Sequence, residues 1–83
     1  MYEILKSRQS VAGQWVSYYL LVQEDRRLPL QYGVKLAVDS GDFDEVPDIT
    51  VSEQQICYLL DLLIRNTVTP VSLRDILEDW LGQ

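Results

Sequence analysis

The chain has 83 residues, 47% of them hydrophobic, with seven basic groups against thirteen acidic ones and no histidine. A domain of that length buries only roughly 60–65% of its unfolded surface, which leaves little stability for building a deep pocket. The net charge of −6 opposes contact with phosphate backbones and anionic membranes, and the missing histidine removes the usual general base and the commonest transition-metal ligand.

In chain order, residues 2–8 (YEILKSR) read as a weak opening strand, and residues 9–14 (QSVAGQ) as a turn in which Gly13 suits the bend. Residues 15–24 are rich in β-formers on both sides. Val16, Tyr18, Leu20 and Val22 share one face while Trp15, Tyr19 and Leu21 line the other, so the strand is placed centrally with both faces covered. Residues 25–30 (DRRLPL) contain Pro29, which lacks an N–H for a ladder, and are read as a connection or an edge. The clearest strand is 31–39, where Tyr32, Val34, Leu36 and Val38 alternate with Gln31, Gly33, Lys35 and Ala37. The short connections favour antiparallel neighbours, since a parallel pair needs a crossover of about a dozen residues or more.

Residues 39–50 (DSGDFDEVPDIT) put five carboxylates ahead of the helical half and are read as a solvated acidic connection. The last of these acids, Asp48, together with Glu53, is placed near a helix start, where negative charge interacts well with the dipole. Thr50 with Glu53, or Ser52 with Gln55, has capping-box spacing for that helix. Its apolar stripe is Ile56, Leu59, Leu60, Leu63 and Ile64. Cys57 lies within it and is expected to be a buried, inert thiol. After NTVTP, with Thr69 as a cap and Pro70 in the first turn, Leu73, Ile76, Leu77, Trp80 and Leu81 repeat the stripe and Gly82 can end it. Trp80 is the expected anchor of this second helix. The fold class is thus α+β, a three-stranded antiparallel meander followed by two amphipathic helices packed on one face. One domain over 1–83 divides into the meander (1–39), the acidic connection (40–50) and the helical pair (51–82).

Charge is unevenly spread. Residues 1–35 carry five basic groups against three acidic ones, whereas residues 36–83 carry two against ten. The second helix holds Asp75, Glu78 and Asp79 in its middle and last turns, where the dipole disfavours carboxylates, and Asp75 with Asp79 is a like-charge i, i+4 pair. Either Arg26, Arg27 or Arg65 folds over to neutralise them, or they wait for a basic patch on another protein. Arg26 and Arg27, next to Leu28 and Leu30, form a second candidate binding surface of opposite sign, which allows self-association into a homo-oligomer.

Other chemistries find less support. Counted as a calcium loop from Asp42, the acidic segment has Val46 where an oxygen ligand belongs and Pro47 where the turn needs glycine. A recognition helix for DNA would need basic and amide side chains, and the second helix has only Arg74 against three acids. No nucleophile–base arrangement, glycine-rich phosphate loop or Cys/His cluster is present, so no catalytic residue, metal ligand or cofactor is assigned. The lone cysteine, the absence of an opening basic-then-apolar leader and the short apolar runs lead to the expectation of a cytoplasmic protein.

Tyr32-Gly33, Asp48-Ile49-Thr50, and Thr69-Pro70 followed by Leu73, Asp75, Ile76, Glu78 and Asp79 form a combination seen together. Through it the chain resembles DUF6514, a family of small proteins of unknown function from anaerobic Gram-positive bacteria (Firmicutes). The likeness covers the C-terminal two thirds. It implies a bacterial cytoplasmic protein and carries over no catalytic residue, cofactor or substrate. The function expected is a non-catalytic protein-interaction or regulatory module with an acidic docking face, meeting a basic patch on a partner protein. The alternative is a binder of a small cationic ligand or divalent metal through residues 39–48.

Overall fold

A computed structural model describes residues 1–82. Strands β1 (Tyr2–Val11), β2 (Gln14–Asp25), β3 (Leu28–Val38) and β4 (Phe43–Thr50) form one antiparallel sheet in the order β1-β2-β3-β4. Helix α1 (Glu53–Arg65) follows, then a 3₁₀ turn (Pro70–Ser72) that leads directly into α2 (Leu73–Leu81). The fold is α+β as the periodicities predict, with one correction: the sheet has four strands, because the supposed acidic connection supplies β4. Its alternation is hidden by charge, since Asp44, Val46 and Thr50 pair with Leu36, Val34 and Tyr32 across β3 while Phe43 and Glu45 face the other way. Carboxylates at an edge strand stay partly solvated, so a low β-propensity sequence is tolerated there.

The residues around Pro29 also belong to a strand. Arg26 and Arg27 alone make the turn, and Asp25 pairs with Leu28 to bring Pro29 inside β3. Ala12 and Gly13 both have positive φ, which makes the β1–β2 connection a two-residue hairpin turn whose twist matches that of the strands.

Val16, Tyr18, Leu20 and Val22 of β2 and Tyr32, Val34, Leu36 and Val38 of β3 meet Ile56, Leu59, Leu60 and Leu63 of α1, Val68, and Leu73 and Leu77 of α2 in one core. Ser52 caps α1, its hydroxyl accepting from the Gln55 N–H at 3.1 Å, while Thr50 lies in β4 and accepts from the Ser52 N–H. Asp48 is likewise in β4, outside the first turn where the dipole acts, and only Glu53 retains that role. At its other end α1 closes with Thr67 at φ 51°, the Thr67 N–H donating to the Ile64 carbonyl and the Val68 N–H to that of Leu63. This pair of bonds is a Schellman motif, and it folds Val68 back onto the core.

Two expectations about the helices change, and one about β2. Cys57 is exposed, because it lies off the buried stripe of Ile56, Leu59, Leu60 and Leu63, on its solvent-facing flank. Trp80 is only half-buried, packing at the rim of the core, and Leu73 and Leu77 anchor α2 instead. The helical layer covers one face as expected, α1 lying over β2, β3 and β4, but among the described residues the second face, expected to be covered over β2, has no covering layer. Leu21 is the one fully enclosed side chain that the register assigns to that second face. It pairs with Gly33, over which the bulge of β4 crosses: a Cβ on Gly33 would meet the Val46 carbonyl oxygen and lie 2.6 Å from the Pro47 Cα.

Candidate functional site

The acids of α2 lie on the expected helix, but because α2 begins only at Leu73, Asp75 falls in its first turn, where the dipole favours it, and only Glu78 and Asp79 stand toward the C-terminal end. Asp75, Glu78 and Asp79 are exposed, and among the described residues none of them joins an ion pair. Arg65 is engaged one turn back along its own helix, 3.0 Å from Asp61. Arg26 and Arg27 sit together at the tip of the β2–β3 hairpin, where the Arg27 N–H donates to the Asp25 carboxylate. They form no ion pair with α2, so the structure brings the three acids together on one element and leaves the two arginines on another.

Beside these acids lies an apolar surface in which Ile76, Trp80 and Leu81 of the expected α2 stripe are joined by Tyr58 and Leu62 of α1, which the stripe of that helix leaves out. Tyr58 and Leu62 of α1 face Ile76 and Trp80 of α2, with Asp79 on the rim, and Tyr58, Trp80 and Leu81 continue into a groove of about 620 Å³ reaching Gln54 and Gln55. Tyr58 is 61% exposed. It occurs one helical turn before Leu62, a spacing that was open to inspection but was overshadowed by the stronger buried stripe.

The segment 39–48 is arranged for holding the fold together. The Asp44 carboxylate accepts from Arg74 Nε at 2.9 Å and Nη2 at 3.1 Å, a fork that ties β4 to α2. Hydrogen bonding to Asp44, then its negative charge, raises the Arg74 pKa further. The Arg74 guanidinium also reaches the Glu45 carbonyl. No group of three or more carboxylate, cysteine or histidine side chains converges among the described residues.

The uncovered face of the sheet is the second feature that sequence reasoning missed. Strand register places side chains on it in rows: Leu5, Tyr19, Lys35 and Glu45 in one, Arg8, Ser17, Ala37 and Phe43 in the next, and Ser10 with Trp15 beyond. Arg8 lies 4.9 Å from the centre of the Trp15 ring, and Lys35 lies 4.9 Å from that of Phe43 and 5.6 Å from that of Tyr19. Lys35 also bonds Glu3 at 3.2 Å. Phe43 remains 58% exposed and Trp15 46%. The alternation of Trp15, Tyr19 and Leu21 signalled this face, whereas Phe43 joins it only through the unforeseen β4.

A four-stranded antiparallel sheet with two helices over one side, an acid-rimmed helical groove and an aromatic open face define a small two-layer domain whose exposed features are surfaces. The chain belongs to DUF6514, a family of unknown function, whose model it matches over residues 2–83. The match thus includes the N-terminal strands that the motif resemblance leaves out. Comparison with curated proteins and with solved structures gives no match.

Proposed function

We propose that this protein is a non-catalytic interaction or regulatory module of a bacterial cytoplasm, and that the acidic face of α2 docks a basic segment of a partner protein. The observation that carries the reading is the exposure of Asp75, Glu78 and Asp79 without ion pairs among the described residues, while Lys35, Arg65 and Arg74 are paired with Glu3, Asp61 and Asp44. Asp75 lies in the first turn of α2, where the dipole favours it, but helix stability does not call for Glu78 and Asp79 near the other end, where the dipole opposes them and Asp79 repels Asp75 at i, i+4. The adjoining Tyr58, Leu62, Ile76 and Trp80 supply apolar area for the same partner, and desolvated aromatics beside a charged rim are the usual anchors of an interface.

The test is a quantitative pull-down from a bacterial lysate with wild type, Asp75→Lys/Asp79→Lys and Tyr58→Ala, each first shown to be folded. The reading expects a protein retained by wild type, released as salt is raised, and lost from both variants. Equal retention by wild type and the charge-reversed variant would return the acids to a purely solvating role. The alternative, a cation or metal bound through 39–48, has no comparable support, because Asp44 already serves Arg74. Stabilisation of the melt by millimolar calcium or magnesium, reversed by EDTA, would restore it.

A further inference from the structure

The open face of the sheet is built differently from the acidic helix, and its charge indicates what covers it. The charged residues that strand register places there are Glu3, Arg8, Lys35 and Glu45, whose charges cancel, in a chain whose net charge is −6. A polyanion meets no attractive field at such a face, and a basic protein meets no excess of acid. A second copy of the same face meets no net charge repulsion there, and both cations are already seated on aromatic rings.

The edges of the sheet are poor routes to association. β1 is bulged between Leu5 and Ser7, and β4 is bulged around Pro47 and Asp48, the latter at φ 57°. Bulges, proline and charge are the devices that keep edge strands from pairing with another chain. What remains is face-to-face packing, in which sheets stack about 10 Å apart with their strands within about 30°. Four strands about 4.8 Å apart and about 25 Å long present roughly 500 Å² in projection. Side-chain relief brings that area toward the about 800 Å² per partner of a standard-size interface.

We propose that two copies of this chain associate isologously through the open face of the sheet, burying Leu5, Trp15, Tyr19 and Phe43 between two β-layers that are each backed by helices. The helical groove and the acids of α2 stay outside this contact, so the dimer presents two docking faces.

Sedimentation equilibrium from micromolar to millimolar concentration tests this directly. Wild type is expected to reach the mass of two chains. Phe43→Glu and Trp15→Glu, both at exposed positions, should weaken the dimer while circular dichroism shows the native fold. Because each side chain occurs twice in a two-fold contact, a loss of about tenfold per copy becomes about a hundredfold for the dimer. Val71→Glu, at a site 92% exposed in the 3₁₀ turn, and Asp75→Lys/Asp79→Lys should leave the association unchanged. A wild type monomeric throughout, or a dimer insensitive to both face substitutions, would overturn the proposal. So would a dimer lost with the α2 variant, or a monomer that binds labelled oligothymidine in anisotropy measurements.

Discussion

On the helix side of the sheet, Val16, Tyr18, Val34 and Leu36 are sealed from solvent; on the other side, Leu5, Trp15 and Phe43 stand in water with Arg8 and Lys35 against the aromatic rings. Both sides are apolar enough to form strands, yet they differ in what holds them. The covered side depends on burial, worth roughly 1.5–3 kcal/mol for each enclosed large side chain. The open side depends on cross-strand neighbours, which contribute only about 0.2–1 kcal/mol per pair. A sheet can therefore carry its stability on one face and leave the other available for contact.

The sharpest break of this comparison is at Gly33, where the two faces meet the bulge of β4. Its Cβ position points to the open side and is occupied by the backbone of Val46 and Pro47. Gly33→Ala is expected to cost about 3 kcal/mol or more, because backbone cannot retreat as a flexible side chain does. Denaturant midpoints with unchanged m-values would measure it. A loss below 1 kcal/mol would mean that β4 detaches easily and contributes little to the sheet.

Next in size is Tyr18, the polar centre of the covered face. Its hydroxyl donates to the Val68 carbonyl at 2.8 Å and accepts from Gln9 Nε2 at 3.1 Å, while Gln9 also donates to the Ile64 carbonyl at 2.7 Å. Tyr18→Phe leaves that Val68 oxygen without this donor and should cost about 1–3 kcal/mol, whereas Tyr19→Phe on the open face should cost almost nothing. Burial raises the Tyr18 pKa, opposed in part by the bond from Gln9. The folded state therefore keeps this proton longer than the unfolded state does. Stability is full below the ordinary phenol value of 10.0 and falls as pH rises through and beyond it. Tyr18→Phe should flatten that fall in alkaline melts. Tyr32, whose pKa is also raised, chiefly by desolvation and then by Glu53, should preserve part of it.

The sequence was informative wherever one periodicity dominated. β3 alternates clearly, and Ile56, Leu59, Leu60 and Leu63 mark the buried side of α1 without ambiguity. β4 was obscured because its identity rests on pairing: Asp44 is tolerated in an edge strand, where Arg74, thirty residues later, also holds its carboxylate. Trp80 misled for a related reason, since area alone does not say whether a side chain reaches the centre or the rim of a small core. Of the candidate site, the like-charge spacing of Asp75 and Asp79 could be read directly, but the place of Asp75 against the dipole could not, since it depends on α2 starting after the 3₁₀ turn. The aromatic open face was legible only in part: Trp15 and Tyr19 mark it in β2, whereas Phe43 joins it through β4, which the acidic sequence hides.

The smallest expected effect lies at the joint between α1 and the 3₁₀ turn, which carries the covered face into α2. Thr67 occupies the left-handed position of the Schellman motif at φ 51°, where a β-branched residue crowds its own backbone and glycine does not. Thr67→Gly removes that crowding and also the bond from the Thr67 hydroxyl to the Asn66 carbonyl, a short local contact in solvent. It also gives the unfolded chain more freedom, which offsets part of the gain. A net stabilisation of about 0.5–1 kcal/mol is expected in denaturant titration, with no change in dimer affinity because Thr67 is far in sequence register from the open-face rows. Destabilisation would mean that the threonine methyl or hydroxyl contributes packing beyond its backbone conformation, and would extend the covered core past Val68.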